Sequence, residues 1–157
     1  MQHSASLRIL FCLSVGFAII FRAFVCVSPL YADAPTGRYT LGADTATDRQ
    51  TGLEWQRTAT TEVLTWDSAK AHCQQLGDAW RLPLMKELLT IIDVKRINPA
   101  VDITVFPKAP STDFWSATPV PGGRADMPRA YKVDFSIGQF GTEDTSATLR
   151  VRCVRST

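Results

Sequence analysis

The residues with the clearest chemical potential beyond position 32 are two cysteines and one histidine. Cys73 and Cys153 are far apart in the sequence, and His72 is the only histidine of this region. Two cysteines in an oxidising compartment usually pair, whereas a redox pair normally shows close C-x-x-C spacing and a metal site needs more ligands. We therefore predict a structural disulfide. His72 is expected at the surface or at its boundary, because no Ser or Cys nucleophile is grouped with it.

No other catalytic constellation is recognisable. Ser111, Ser116 and Ser136 have no positioned base, and the sequence contains no Gly-rich phosphate loop. Nothing marks any two carboxylates as neighbours in space. We predict that the protein is not an enzyme and that it requires no cofactor.

Metal binding is judged from the carboxylates of the loops. A calcium-dependent sugar site needs roughly six to eight converging oxygen ligands, and the sequence has no Glu-Pro-Asn, Gln-Pro-Asp or Trp-Asn-Asp phrase. Asp102, Asp113 and Asp126 leave a different metal site as a weaker alternative. We predict no metal.

Four cations lie in or beside two long loops, residues 98–113 and 119–129. They are Lys108, Arg124, Arg129 and Lys132. We predict them as ligand-binding residues, and the alternative is a merely solvated surface.

The first 32 residues read as an export signal. They contain no Asp or Glu, and an apolar run extends from residue 9 to 21 between Arg8 and Arg22. This run fits a signal peptide and is short for a membrane span. We predict a signal peptide over 1–32 cleaved after Ala32, a tether over 33–37 and one domain over 38–157. An uncleaved anchor is the alternative, and it is the only membrane contact expected.

The charge of the remaining chain argues against nucleic-acid binding. Beyond residue 32, fifteen Lys and Arg residues balance fifteen Asp and Glu residues, so the net charge of +2 belongs to the export segment. A neutral domain has no overall electrostatic attraction to nucleic acid or to an anionic membrane. The expected location is the periplasm, the cell surface or the extracellular space.

Local patterns predict the elements of the first half. A short strand over 38–41 precedes a hairpin that turns at Gly52. Thr65 is a suitable N-cap for a helix that ends before Gly77. The apolar stripe of this helix consists of Trp66, Ala69, Cys73 and Leu76. Cys73 is thereby expected to face the core.

The second half begins with a second helix over 84–93, directly after Pro83. Its expected buried face consists of Leu84, Leu88 and Ile91. A strand over 114–117, a hairpin over 130–140 that turns at Gly138, and a final strand over 148–155 follow. In the final strand, Leu149, Val151 and Cys153 alternate with Arg150, Arg152 and Val154. The order of elements predicts an α+β domain built around an antiparallel sheet.

Seven phrases, taken together and in order, resemble the Lcl C-terminal domain family. They are Thr51-Gly52-Leu53-Glu54-Trp55, Leu64-Thr65-Trp66 with Ala69 and Cys73, Trp80-Arg81-Leu82-Pro83 with Lys86-Glu87-Leu88, Asn98-Pro99-Ala100, Phe114-Trp115-Ser116, Val133-Asp134-Phe135 with Gly138, and Val151-Arg152-Cys153-Val154-Arg155. The family is named for the end of a Legionella collagen-like adhesin and is largely of unknown function.

The resemblance implies a C-type-lectin-like fold, in which two helices pack on a twisted antiparallel sheet with long loops. It also implies the Cys73–Cys153 bridge. Leu84 departs from the family pattern, because members commonly have a Thr or Asn there that caps the second helix. The residues of these phrases are expected to be structural, with Arg81 paired to Glu87 or Asp93. The residues concerned are Trp55, Trp66, Trp80, Arg81, Leu82, Pro83, Glu87, Trp115 and Asp134.

The resemblance to an adhesin domain implies an exported recognition or adhesion module that presents its loops to a polysaccharide or a surface protein. A sulfated polysaccharide would need cations such as those of the two loops. The alternative is a structural or assembly subunit of a cell-envelope complex. An exposed apolar patch would favour the assembly subunit, whereas a cationic groove would favour the glycan binder.

Overall fold

The structure is a computed structural model that describes residues 37–122, 124 and 126–157. The predicted signal peptide and residues 33–36 of the tether lie outside these residues. Within the described ranges, the helices are too short and too polar to cross a membrane.

The described residues form seven strands and two helices. In chain order they are β1 (Tyr39–Leu41), β2 (Thr45–Asp48), β3 (Leu53–Gln56), α1 (Trp66–Gln75), α2 (Met85–Thr90), β4 (Asp113–Pro119), β5 (Arg129–Asp134), β6 (Gln139–Asp144) and β7 (Val154–Ser156). The strands make two antiparallel sheets, with orders β1-β2-β3-β7 and β4-β5-β6. The α+β class is confirmed, although two sheets replace the single sheet predicted.

Both predicted hairpins are present, and a glycine allows each turn. Gly52 has φ +66° between β2 and β3, and Gly138 has φ +76° between β5 and β6. Both values lie in the left-handed region, where only glycine is free of steric cost. A Cβ at Gly138 would also lie 2.6 Å from Ile92 Cγ2, so a larger residue could not occupy this turn without moving the neighbouring loop.

Helix α1 confirms the predicted position, with two local differences. Thr65 is the N-cap residue, but its hydroxyl hydrogen-bonds Ser68 Oγ at 2.9 Å and makes no capping bond to the backbone. Gly77 ends the helix with φ +70°. Leu76, predicted in the buried stripe, is 41% exposed. The reason is its position as the C-cap, where the last turn extends past the core that covers Ala69 and Cys73.

Helix α2 is shorter than predicted, and one residue that was predicted on its buried face is exposed. The helix ends at Thr90, because the chain turns there toward the bridge between Ile92 and Val101. Leu84 is the N-cap and is exposed, whereas Leu88 and Ile91 are buried as expected. Leu84 has no hydroxyl or amide with which to cap the helix, and Glu87 accepts its backbone N–H instead.

The predicted final strand over 148–155 is mostly replaced by an extended segment that joins the two sheets. Arg150 forms a parallel bridge with Phe114 of β4, and Val154 pairs with Trp55 of β3. Both faces of this segment are covered, so the expected alternation of buried and solvent-facing residues is wrong. Arg152, predicted on the outer side, is fully buried.

Arg152 stacks on aromatic rings inside the core. Its guanidinium carbon lies 4.6 Å from the ring centroid of Phe106 and 5.9 Å from that of Phe114. Nη1 donates to the backbone carbonyls of Gln56 and Arg57. Nε and Nη2 have no hydrogen-bond partner among the described residues. Burial lowers the pKa of Arg152 to about 9, because a charged group loses its hydration there.

The predicted disulfide is confirmed. Cys73 of α1 and Cys153, just before β7, are bonded with a Cα–Cα distance of 5.5 Å. The bridge closes a loop of sequence separation 80, which in the chain-entropy model stabilises the fold by roughly 4 kcal/mol. Both sulfur atoms lie in a buried cluster with Ala69, Leu82 and Trp115, so the bond fixes α1 against the segment that joins the sheets.

Candidate functional site

The motif around Arg81 has a structural role. Arg81 donates to both carboxylate oxygens of Glu87, at 2.7 and 2.8 Å, while Glu87 also accepts the Leu84 N–H at 2.8 Å. Burial by itself raises the pKa of Glu87, but the hydrogen bonds from Arg81 and from the Leu84 N–H outweigh it, so the pKa lies below its ordinary value. Since Arg81 also bridges Val154, Glu87 holds α2 against β7.

Most of the other motif residues are engaged in packing or in backbone hydrogen bonds. Trp55, Leu82, Pro83 and Trp115 are buried. Trp66 Nε1 donates to the Ser116 carbonyl at 2.7 Å, and Trp115 Nε1 donates to the Leu64 carbonyl at 2.8 Å. Asp134 accepts the Ser136 N–H at 2.7 Å and so shapes the second hairpin turn. Trp80 differs from them, because its half-buried ring lines a cavity.

Two of the four predicted ligand-binding cations form ion pairs with carboxylates of the protein. Lys132 Nζ lies 2.6 Å from Asp113 Oδ2 and 3.6 Å from Glu143 Oε2. The hydrogen bond to Asp113 is the main reason that the pKa of Lys132 is raised. Arg124 donates to both oxygens of Asp126, at 3.1 and 2.8 Å. These two cations already have carboxylate partners.

The other two predicted cations lie apart from this pairing. Arg129 donates to the Thr142 carbonyl at 2.8 Å. In the pairing of β5 with β6, Asp144 is the residue opposite Arg129. Arg129 points to the opposite face of β5 from Lys132, because an odd separation along a strand reverses the face. The Lys108 ammonium has no hydrogen bond or ion pair with any described residue. Arg129 and Lys132 therefore do not share one face of β5.

The three loop aspartates also have internal partners. Asp102 is buried and accepts the backbone N–H and the hydroxyl of Thr104, at 2.8 and 2.7 Å. Asp113 and Asp126 are engaged by Lys132 and Arg124. Within residues 37–122, 124 and 126–157, no group of three or more His, Cys, Asp or Glu side chains is arranged to hold a metal ion.

Two adjoining cavities form a groove beside α1. Their volumes are about 440 and 340 Å³. Gln56, Thr58 and Leu76 line both of them. The larger is also lined by Ala59, Thr60, Thr61, Glu62, Leu64 and His72, and the smaller by Asp44, Thr45 and Trp80. We call this surface the threonine groove.

Several hydrogen-bonding groups of the threonine groove are available to a ligand. Gln56 uses its side-chain oxygen to accept the Cys153 N–H at 3.0 Å, which leaves its amide NH₂ unpaired with any described residue. The hydroxyl of Thr58, the imidazole of His72 and the indole N–H of Trp80 likewise have no hydrogen-bond partner in the described part of the chain. Thr60 differs, since its hydroxyl bonds the Glu62 carbonyl and the Val151 N–H.

Sequence reasoning missed the threonine groove. Its walls come from the end of β3, the segment 58–62, the last turns of α1 and Trp80. The available signal was the run Thr58-Ala59-Thr60-Thr61-Glu62, a polar stretch between two predicted apolar elements. Leu76 gave a misleading signal, because its helical spacing assigned it to the core although it forms the wall shared by both cavities.

Solved structures with a similar fold are C-type-lectin-like snake venom proteins. The structure of botrocetin matches with a TM-score of 0.51 and 10% identity, covering 75% of this chain and 100% of that one. The structure of EMS16, an antagonist of the collagen receptor integrin alpha2beta1 (GPIa/IIa), matches with a TM-score of 0.49 and 13% identity, covering 76% and 98%. At this identity the likeness to botrocetin shows the fold alone.

No curated protein gives a significant match to the sequence. The Lcl C-terminal domain family matches residues 44–155, which include the disulfide Cys73–Cys153, the Arg81–Glu87 pair and every lining residue of the threonine groove. The resemblance found in the separate phrases thus extends over the described domain, and the chain belongs to the Lcl C-terminal domain family.

Proposed function

We propose that this protein is an exported, non-catalytic recognition module and that the threonine groove is its binding site. One observation carries the proposal. Charged groups elsewhere on the domain are mostly paired, whereas the groove brings together Gln56, Thr58, His72 and Trp80 with hydrogen-bonding groups that have no partner among the described residues. Concave sites with a few convergent polar groups are the usual form of a ligand site.

Export is supported by the disulfide and by residues 1–32. Disulfides persist in oxidising compartments, which include the periplasm, the cell surface and the extracellular space. We propose residues 1–32 as the signal peptide, removed after Ala32. The mass of the exported product checks both points, since cleavage there leaves Asp33 as the first residue and the bridge removes two hydrogens. A mass that includes residues 1–32 would instead identify an uncleaved anchor.

The ligand is a polysaccharide or a surface protein. The test is a binding series in which the exported protein is titrated with neutral polysaccharides, with sulfated polysaccharides and with intact cells, each with calcium and with chelator. The proposal is supported if a probe binds equally well with calcium and with chelator, and if Thr58→Trp removes this binding. Binding that survives Thr58→Trp but disappears with Lys108→Glu would return the site to the loops, where Lys108, Arg124, Arg129 and Lys132 were predicted to act.

A second candidate function is an assembly subunit of an envelope complex, and an exposed apolar patch favours it. Ile97 is 70% exposed and Ile137 is 52% exposed. The Asn98 N–H donates to the Ser136 carbonyl at 2.8 Å, which places the loops that carry Ile97 and Ile137 side by side. Exposed apolar clusters mark protein interfaces. The test is co-purification with envelope proteins. If an envelope protein co-purifies with the wild type and with Thr58→Trp but not with Ile97→Ser/Ile137→Ser, this candidate is favoured.

A further inference from the structure

The threonine groove has the form of a site for a chain rather than for a single small ligand. Its two cavities, of about 440 and 340 Å³, share Gln56, Thr58 and Leu76. Each volume alone lies within the ordinary range of small-molecule sites, which begins at roughly 300 Å³. The shared residues make the two cavities parts of one elongated surface, so an oligomeric ligand can occupy both while Thr58 contacts its middle.

The charges of the groove disfavour an anionic ligand. Its described lining contains the carboxylates of Asp44 and Glu62 but neither Lys nor Arg. Arg155 stacks on the Trp80 ring at 4.9 Å, but Glu54 pairs with it at 2.8 Å. Arg57 and Arg150 lie beside the groove, but their guanidinium groups donate to backbone carbonyls, those of Gly42 and Val105 for Arg57 and those of Thr60 and Thr61 for Arg150. A sulfated or carboxylated chain would therefore meet the like charge of Asp44 and Glu62 in the lining itself. The ligand that fits is uncharged.

The remaining lining groups match the two kinds of surface on a sugar ring. A saccharide presents hydroxyls, which exchange hydrogen bonds with groups such as the Gln56 amide and the Thr58 hydroxyl. It also presents apolar C–H faces, which pack against apolar side chains. Leu76 is 41% exposed at the centre of the groove, and Trp80 lines its smaller end. Aromatic and aliphatic walls with a polar tip suit such amphipathic ligands.

We infer that the threonine groove binds an uncharged saccharide chain. The inference rests on the proposed recognition function and names its ligand class. It also separates two groups of residues. Gln56, Thr58 and Trp80 contact the saccharide, whereas Arg124 and Lys132 already pair with Asp126 and Asp113.

The test titrates the full exported protein with matched polysaccharides. Dextran, mannan and a soluble β-glucan are the neutral probes, and dextran sulfate is the charged match of dextran. We expect at least one neutral probe to bind. Its affinity should change less than about twofold between low and high salt, because an uncharged ligand forms no ion pairs with the protein. Binding of dextran sulfate alone, with strong salt dependence, overturns the inference.

Two exposed threonines supply matched variants. Thr58 lines both cavities, and Thr112 lies outside them in the loop before β4. Thr58→Trp should weaken binding of the neutral probe at least about tenfold by filling the groove, while Thr112→Trp should change it less than about twofold. Equal thermal midpoints for the two variants show that Thr58→Trp acts by obstruction rather than by unfolding.

A third variant tests the hydrogen-bonding group without blocking the groove. Gln56→Glu keeps an oxygen for the Cys153 N–H but removes the amide donor, so neutral-probe binding should fall about fivefold to tenfold. Unchanged binding in both Gln56→Glu and Thr58→Trp overturns the site. If no neutral probe binds but Thr58→Trp still abolishes attachment to cells, the saccharide inference fails while the recognition function stands, and a peptide becomes the ligand. If nothing binds, both fail.

Discussion

Gln56 and Cys153 are joined by two hydrogen bonds, one through the side chain and one through the backbone. The Cys153 N–H donates to Gln56 Oε1 at 3.0 Å, and the Gln56 N–H donates to the Cys153 carbonyl at 3.1 Å. Cys73, the other half of the disulfide, lies on α1 together with His72, and Leu76 is the C-cap of the same helix. The disulfide therefore connects two walls of the threonine groove through the position of Gln56.

Removing this bridge should weaken both the fold and the groove. We expect Cys73→Ala/Cys153→Ala to lower the free energy of unfolding by about 2–5 kcal/mol. Groove binding should weaken as well, because Gln56 loses the fixed Cys153 backbone that orients it. Urea titration with a fluorescence readout measures the first effect. Dithiothreitol should shift the midpoint of the wild-type protein but leave the double variant unchanged, and an unshifted wild type would contradict the prediction.

Arg152 should contribute through packing more than through its charge. Arg152→Ala leaves a cavity against Phe106 and two carbonyls without their donor, so we expect a loss of about 3–5 kcal/mol in the free energy of unfolding. Arg152→Met keeps the volume and removes a buried charge, which is often neutral or even stabilising. Its loss should be clearly smaller. Equal losses in denaturant titrations of the two variants would show that the hydrogen bonds dominate.

The buried pair Arg38–Asp48 predicts acid sensitivity. Arg38 Nη2 lies 2.7 Å from Asp48 Oδ2. Burial by itself raises the pKa of Asp48, but the hydrogen bonds from Arg38 and the Gln50 N–H outweigh it, so the folded pKa lies below the ordinary value of 3.8.

The sign follows from proton binding in the two states. As the pH falls below the ordinary value of 3.8, Asp48 binds a proton in the unfolded state but remains ionised in the folded state. Stability therefore decreases with falling pH. The stabilisation is complete above that value and is lost as the pH falls through the folded pKa. Thermal midpoints measured from pH 6 to pH 2 should fall less steeply in Asp48→Asn than in the wild type. Parallel curves would contradict the assignment.

Lys132 should affect stability rather than recognition. Lys132→Met leaves half-buried Asp113 without the ammonium that lies 2.6 Å away, so we expect the free energy of unfolding to fall by about 1–2 kcal/mol. Affinity for the neutral probe should remain within about twofold of the wild type. Arg124→Ala is the control, because its exposed pair with Asp126 contributes little. If Lys132→Met lost binding strongly while its thermal midpoint stayed unchanged, Lys132 would be a ligand-binding residue and the prediction would be wrong.

Features that depend on neighbouring residues were predictable from the sequence. The hairpin turns at Gly52 and Gly138, the end of α1 at Gly77 and the antiparallel pairing of short strands all follow from local turn chemistry. The bridge between Cys73 and Cys153 was predictable because these are the only cysteines of residues 33–157.

Predictions that assumed a continuous element failed where the element ends. Leu76 and Leu84 fit helical spacing but occupy a C-cap and an N-cap, where the core no longer covers the helix. Arg152 fits the polar side of an alternating strand, but the segment around it is covered on both faces by the two sheets it joins. Periodicity reports which residues share a face and does not report where the core ends.

Residue types and their spacing were enough to predict the class of the fold, the order of its elements, the disulfide and the family, because each of these depends on short-range patterns or on a count. Tertiary structure decided which groups are available to a ligand. Whether a cation is free depends on partners far along the chain, as in Lys132 with Asp113 and Arg155 with Glu54. The threonine groove exists for the same reason, since only folding brings Gln56, His72 and Trp80 to one surface.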